Sequence, residues 1–313
     1  MNLVFFGSSD FSMAAFKACM DSPHEILLVV TTPDQKKGRG LKLMPTVVRE
    51  AAQAEGLDVI APEKLSSPDV LDQVRALAPD LFVVSSYGKY IPTAYLTIPK
   101  IASLNVHPSL LPKYRGCAPI QYSILNGDSE TGVTILEVAT ELDGGDMFHQ
   151  IRVPLGRETD CVKLTEDLAK LSYRALMETF EKAAAGKLLR SKQDETLSSY
   201  TPKLKKADGL IRWSDPAFRI ANQVRALLPW PTAYFEIGDK LIQVLKGTSD
   251  EMGCAEAEPG SIIAINKDGE VRVQTGKGSF IAQCVKPPGK KEMKAADFAN
   301  GMRLKPGFRL RAG

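Results

Sequence analysis

The chain has 313 residues, 44% hydrophobic and 25% charged, the balance of an ordinary folded protein with enough chain for two domains or one large one. Its net charge is +3, and no run approaches the roughly 18 apolar residues of a membrane span. The start, Met1-Asn2-Leu3-Val4-Phe5-Phe6-Gly7, lacks the basic segment and apolar run of a secretory signal. A cytoplasmic protein without a membrane partner is therefore expected. Five cysteines (Cys19, Cys117, Cys161, Cys254, Cys284), odd in number and without C-x-x-C spacing, argue against a disulfide framework and against zinc.

Residues 3–6, closed by Gly7, read as a buried strand, residues 11–20 as an amphipathic helix and residues 25–31 as a second buried strand. Residues 32–45 then run fourteen positions without periodicity, longer than the usual connection of roughly 2–6. This loop carries Lys36, Lys37, Arg39 and Lys42, with Gly38 and Gly40 flanking Arg39. Two readings stand for it: a solvated charge run, or an arm that reaches a polyanion. Pro45 suits the first turn of a helix continuing over 47–54. Residues 58–60 are a short strand, 66–78 a helix opened by Ser66-Ser67-Pro68, and 81–84 another buried strand. Such alternation predicts a Rossmann-like parallel sheet with helices on both faces.

The next strand, near residues 102–107, carries the candidate chemistry. Side chains two apart on a strand share a face, so Asn105 and His107 project together while Val106 goes to the other side. Pro108 cannot donate to a ladder and ends the strand, which leaves both polar groups at its carboxyl end, where open α/β sheets bind ligands. A helix follows over 118–125, then a strand over 132–138. The loop Ala139-Thr140-Glu141-Leu142-Asp143-Gly144-Gly145 comes after it, able to bring the Asp143 carboxylate to the same edge. A carboxamide and an imidazolium suit the oxyanion of acyl-type transfer, and a carboxylate can accept the proton of an attacking amine. The chain has no complete dinucleotide fingerprint, phosphate loop, hydrolase elbow or zinc-ligand spacing.

A strand over 147–153 and a long helix from Asp160 to about 185, stopped by Gly186, complete the first domain, residues 1–188. Residues 189–207 are polar and without periodicity, the composition of a linker. In residues 208–313 a helix near 218–227 precedes short alternating strands near 233–237, 241–245, 261–265, 271–274 and 280–284, which suggest a small OB-like β-barrel. From Lys205 onward there are 18 Lys and Arg against 12 Asp and Glu, so the positive charge gathers in that half. It fits either a polyanionic partner or solubilising lysines.

The segments S-L-N-V-H-P-S-L-L-P-K-Y-R-G, C-A-P-I-Q and E-L-D-G-G-D-M together resemble the folate-dependent formyltransferases, and the likeness runs nearly the full length. It extends from the opening strand and glycine turn through T-P-D-Q-K-K-G-R-G-L-K-L-M-P to P-W-P-T-A-Y in the second domain. The resemblance implies catalytic roles for Asn105, His107 and Asp143. It assigns folate contact to Ser109, Leu110, Leu111 and Pro112, and pterin cradling to Tyr87, Gly88, Lys89, Tyr90 and Ile91 with Ala139, Thr140, Glu141 and Leu142. It also implies a tRNA-reaching loop of Lys36, Lys37, Arg39 and Lys42. The expected reaction moves a formyl group from 10-formyltetrahydrofolate, a co-substrate, to the α-amine of methionine on initiator tRNA. No metal and no obligate protein partner are implied, and a monomer is expected. The alternative is a relative acting on a small amine such as glycinamide ribonucleotide or an amino sugar nucleotide. Pro108 stands where the tRNA-acting members often have glycine, and Cys117 where they usually have alanine.

Overall fold

The structure, a computed structural model, describes residues 1–37, 42–254 and 256–311. Packing divides the chain into two units. The first comprises Met1–Gly116, Thr131–Val153 and Thr165–Tyr200, the second Cys117–Glu130, Pro154–Leu164 and Thr201–Gly313.

In chain order the elements begin with β1 (Asn2–Gly7), α1 (Ser12–Asp21), β2 (Glu25–Val30), β3 (Gln35–Lys37), β4 (Lys42–Met44), α2 (Val47–Ala54) and β5 (Val59–Ile60). There follow α3 (Pro68–Ala76), β6 (Leu81–Ser85), β7 (Ala102–His107), β8 (Arg115–Gly116), α4 (Pro119–Leu125), β9 (Glu130–Glu137), β10 (Met147–Pro154) and α5 (Cys161–Ala184). A seven-stranded sheet, in the order β10-β9-β7-β6-β1-β2-β5, organises the first unit. β1, β2, β5, β6 and β7 pair in parallel. Strands β1 and β6 are apolar and buried along nearly their whole length, the pattern of parallel strands covered on both faces. Phe6, Phe82, Tyr87 and Tyr95 meet edge-on or tilted in one apolar cluster on this sheet.

Four local expectations need correction. The parallel expectation fails at β9, which runs antiparallel to β7. A parallel neighbour needs a crossover that packs back on the sheet, and the intervening helix α4 instead belongs to the second unit. The presumed irregular loop 32–45 contains an antiparallel pair, β3 with β4, in register Lys37 to Lys42. Pro45 precedes rather than enters α2, whose N-cap is Thr46: its hydroxyl accepts the Arg49 N–H at 3.1 Å. A threonine oxygen satisfies an orphan helix donor, which a proline ring cannot do. The helix at 295–301, α7, was not foreseen, because its seven residues are too few to display a period.

After β11 (Tyr200–Thr201) the second unit holds α6 (Ala217–Ala226), β12 (Ala233–Ile237), β13 (Lys240–Asp250), β14 (Ile262–Ile265), β15 (Val271–Gln274), β16 (Ser279–Lys286), β17 (Met293–Lys294) and α7 (Ala295–Gly301). Its sheet runs β12-β13-β16-β15-β14, with β17 on β16, and its pairs are antiparallel. Arg309 bridges to Ser261 beside β14, and Arg311 bridges to Glu236 on β12. The C-terminal segment thus covers both sheet edges, which is how a barrel dispenses with them. Trp213, Phe235 and Phe280 fill the core between α6 and the strands.

Candidate active site

Asn105 and His107 lie on the last turn of side chains of β7. The strand is flanked by β6, where Val84 faces Asn105, and by β9, where Leu136 faces Asn105 and Thr134 faces His107. His107 is buried and Asn105 half-buried. The imidazole Nε2 donates to the Tyr114 carbonyl at 2.9 Å; a carbonyl only accepts, so that nitrogen carries a proton. Nδ1 therefore faces Asp143 Oδ2, 3.6 Å away, too far for a hydrogen bond and near enough for an ion pair when the ring is charged.

Asp143 closes the group. Its Oδ1 accepts from Asn105 Nδ2 at 3.0 Å and its Oδ2 from the Gly116 N–H at 2.8 Å. One carboxylate therefore holds the carboxamide, a backbone amide and the edge of the imidazole together. The turn that delivers it is specified locally. Asp143 itself has φ +53°, a left-handed conformation that Asp tolerates better than most residues. A Cβ on Gly145 would run into the Glu137 carbonyl oxygen, so only glycine lets this turn return onto β9. Of the other histidines, His149 pairs with Glu178 at 2.6 Å and His24 packs on Phe180.

The remaining candidates divide. Ser109 and Leu111 are buried and spent on internal bonds: the Ser109 hydroxyl donates to Lys113 O, and Thr134 and Gln150 hold the main chain of both residues. Leu110 and Pro112 are half-buried beside them. In the loop after β6, Gly88 has φ +82° and Tyr90 is 65% exposed. Tyr87 and Ile91 sink into the apolar cluster of the sheet, against which Val138, just before the 139–142 loop, also packs. Burial pushes the Tyr87 phenol up to about 12, and its hydroxyl has no partner among the described residues. Lys89 spends two of its three N–H donors on Pro62 O and Glu63 O, at 3.0 and 2.8 Å. Ala139 is half-buried, Thr140 and Glu141 are exposed, and Leu142 is 58% exposed. Lys36 and Lys37 sit on β3 and Lys42 on β4, whereas Arg39 lies outside the described residues.

One group escaped sequence reasoning. Arg115 is fully buried, and its guanidinium donates to Gln193 Oε1, Glu195, Glu141 Oε1 and Tyr200 Oη. The Glu195 hydrogen bond, foremost among several causes, raises its pKa, and Arg115 in turn lowers that of Glu195. The only signal was an arginine inside a glycine-terminated loop, next to partners that lie 26 to 85 positions away. Residues 190–200, read as part of a polar linker, supply three of those partners, and Arg190 also holds Glu137 at 2.8 Å.

A family model described as "Formyl transferase" matches residues 1–180, and one described as "Formyl transferase, C-terminal domain" matches residues 203–303. The methionyl-tRNA formyltransferase of Geobacter sulfurreducens is 38% identical, covering 99% of this chain and 96% of its own. That of Bacillus licheniformis is 40% identical, covering 98% and 97%. Among solved structures, an N-formyltransferase from Helicobacter canadensis in complex with folinic acid and dTDP-3-aminofucose is similar with TM-score 0.65 and 17% identity, over 90% of this chain and 98% of that one. HypX from Aquifex aeolicus in complex with tetrahydrofolic acid is similar with TM-score 0.59 and 17% identity over 95% of this chain, which spans 46% of HypX.

Proposed function

The chain belongs to the formyl transferase family, within its methionyl-tRNA formyltransferases, and from that premise we propose that it moves a formyl group from 10-formyltetrahydrofolate to the α-amine of methionine on initiator tRNA. The observation that carries the chemistry is Asp143 binding Asn105 with one carboxylate oxygen and facing His107 with the other. As the amine bonds to the formyl carbon, negative charge gathers on the formyl oxygen. Asn105 spends one amide hydrogen on Asp143 and can direct the other at that oxygen. His107, with Nε2 engaged by Tyr114 O, offers Nδ1–H in its charged form. Asp143 orients both and accepts the amine proton, directly or through water. When the tetrahedral adduct collapses, the oxyanion's electrons return to the carbonyl, the bond from the formyl carbon to the folate nitrogen breaks, and the proton taken from the amine ends on that nitrogen.

For the folate co-substrate we propose the loops at 87–91 and 139–142 with residues 109–112. Support comes from the exposed apolar surface that Tyr90 and Leu142 each present on these loops, suited to a flat ring. For tRNA we propose Lys36, Lys37, Arg39 and Lys42 together with the basic residues after Lys205. We further propose a cytoplasmic monomer, with residues 1–188 catalytic and 208–313 serving the tRNA; 189–207 connects them, its stretch 190–200 being packed into the first unit. The test is an assay with formyl-labelled 10-formyltetrahydrofolate. Label should pass to charged initiator tRNA and not to glycinamide ribonucleotide or an amino sugar nucleotide. Transfer to a small amine in preference to tRNA overturns the reading.

A further inference from the structure

The side chain of Gln193 joins two stretches that are far apart in sequence. Its Nε2 donates to the carbonyl oxygens of Asp143, at 2.7 Å, and Gly145, at 2.8 Å, so both hydrogens of one carboxamide are spent on a single turn. Its Oε1 accepts from Arg115 Nε and Nη2 at 3.1 and 2.9 Å. That settles which way the amide points, because a guanidinium only donates and a carbonyl only accepts. Arg115 is anchored independently by Glu195 at 2.6 Å, Glu141 at 3.1 Å and Tyr200 at 3.0 Å. The next peptide then returns to the same turn, since Gly116 N–H donates to the Asp143 carboxylate. Asp143 is thus held by its main chain through Gln193 and by its side chain through Gly116, with Arg115 between them.

The turn has reason to need this. A residue with a Cβ is strained in the left-handed region relative to the ordinary helical one, and Asp143 has φ +53°. Its neighbour Leu142 is 58% exposed and gives little packing to oppose relaxation. If φ relaxed to negative values, the carboxylate would swing away from Asn105 and His107. We infer that Gln193 is a positioning residue for the transfer, acting through the backbone of Asp143, with Arg115 setting the direction of its amide. This rests on the reading of Asp143 as part of the reacting group.

The test is a double-mutant cycle on the full chain. Gln193→Met keeps the length of the side chain, removes its donors and leaves Arg115 its other partners. It should lower kcat about 10- to 100-fold, the usual effect of losing a supporting hydrogen bond behind a reacting group, with KM for tRNA and for the folate within about two-fold. Added to Asp143→Ala, it should cost less than about two-fold more, since residues that act as a unit are not additive. Gln193→Glu, which keeps the acceptor for Arg115 but turns an oxygen toward two carbonyls, should behave alike and serves if the methionine variant does not fold. A kcat within two-fold of the unsubstituted enzyme, or the same loss in the Asp143→Ala background, overturns the inference. If the unsubstituted enzyme formylates a small amine and not tRNA, the functional reading fails, and the same cycle run on that amine still decides the role of Gln193.

Discussion

At the scale of the residue, the arrangement concentrates its consequences on three side chains and one arginine. Asn105→Ala, His107→Ala and Asp143→Ala should each fold and lose formyl transfer, by about 10²–10³ for an oxyanion donor. Single-turnover rates and a far-UV spectrum check both halves of that statement. The cysteines give a separate test of the packing. Cys19 is buried, and that burial raises its thiol pKa, whereas Cys117 and Cys254 are exposed. A thiol reagent on the native protein should therefore modify Cys117 and Cys254 first and spare Cys19 and Cys161 until the chain is unfolded, as peptide mapping would read. Asn105 and His107 were legible from a two-residue spacing and a following proline. Arg115 was not, because a buried arginine is defined by its carboxylate partners, and none of those is near it in the chain.

At the scale of the element, glycines fix two close approaches. A Cβ at Gly145 meets the Glu137 carbonyl, and one at Gly132 meets the Ile151 carbonyl. Neither backbone oxygen can rotate aside as a side chain would, so Gly145→Ala and Gly132→Ala should each destabilise the protein by about 1–3 kcal/mol, measured as a lowered denaturant midpoint. Gly145→Ala should lower activity as well, because it displaces the Asp143 turn. Gly132→Ala, near the start of β9 and five residues before the strand's end toward Asp143, should act through stability first. The strands themselves were readable because buried parallel strands are short β-branched and aromatic runs. The direction of β9 was not, since a strand pattern is the same read either way and only the course of the connection decides it.

At the scale of the whole molecule, charge is the distinguishing property. Residues from Lys205 onward carry 18 basic against 12 acidic side chains, and four more basic residues sit in the 32–45 segment. If these meet phosphates, raising salt from roughly 50 to 200 mM should weaken tRNA binding at least about ten-fold and leave the KM for 10-formyltetrahydrofolate nearly unchanged. Arg39→Ala should raise KM for tRNA with folate binding spared; unchanged tRNA kinetics would remove the 32–45 segment from recognition.

What the amino-acid order determined alone was whatever depends on neighbours in the chain. The alternation of buried strands and helices, the β-rich second half, and the Asn105 and His107 pair at the end of one strand are all of that kind. Their periods and terminators lie within a few residues of one another. Tertiary structure alone decided how segments dozens of positions apart meet. The anchoring of the Asp143 turn by Gln193, the burial of Arg115 among Glu141, Glu195 and Tyr200, and the covering of the second sheet's edges by residues 309–311 all fall there. Each depends on a hydrogen bond or ion pair whose two halves carry no mark of the other, so only the folded chain reveals the match.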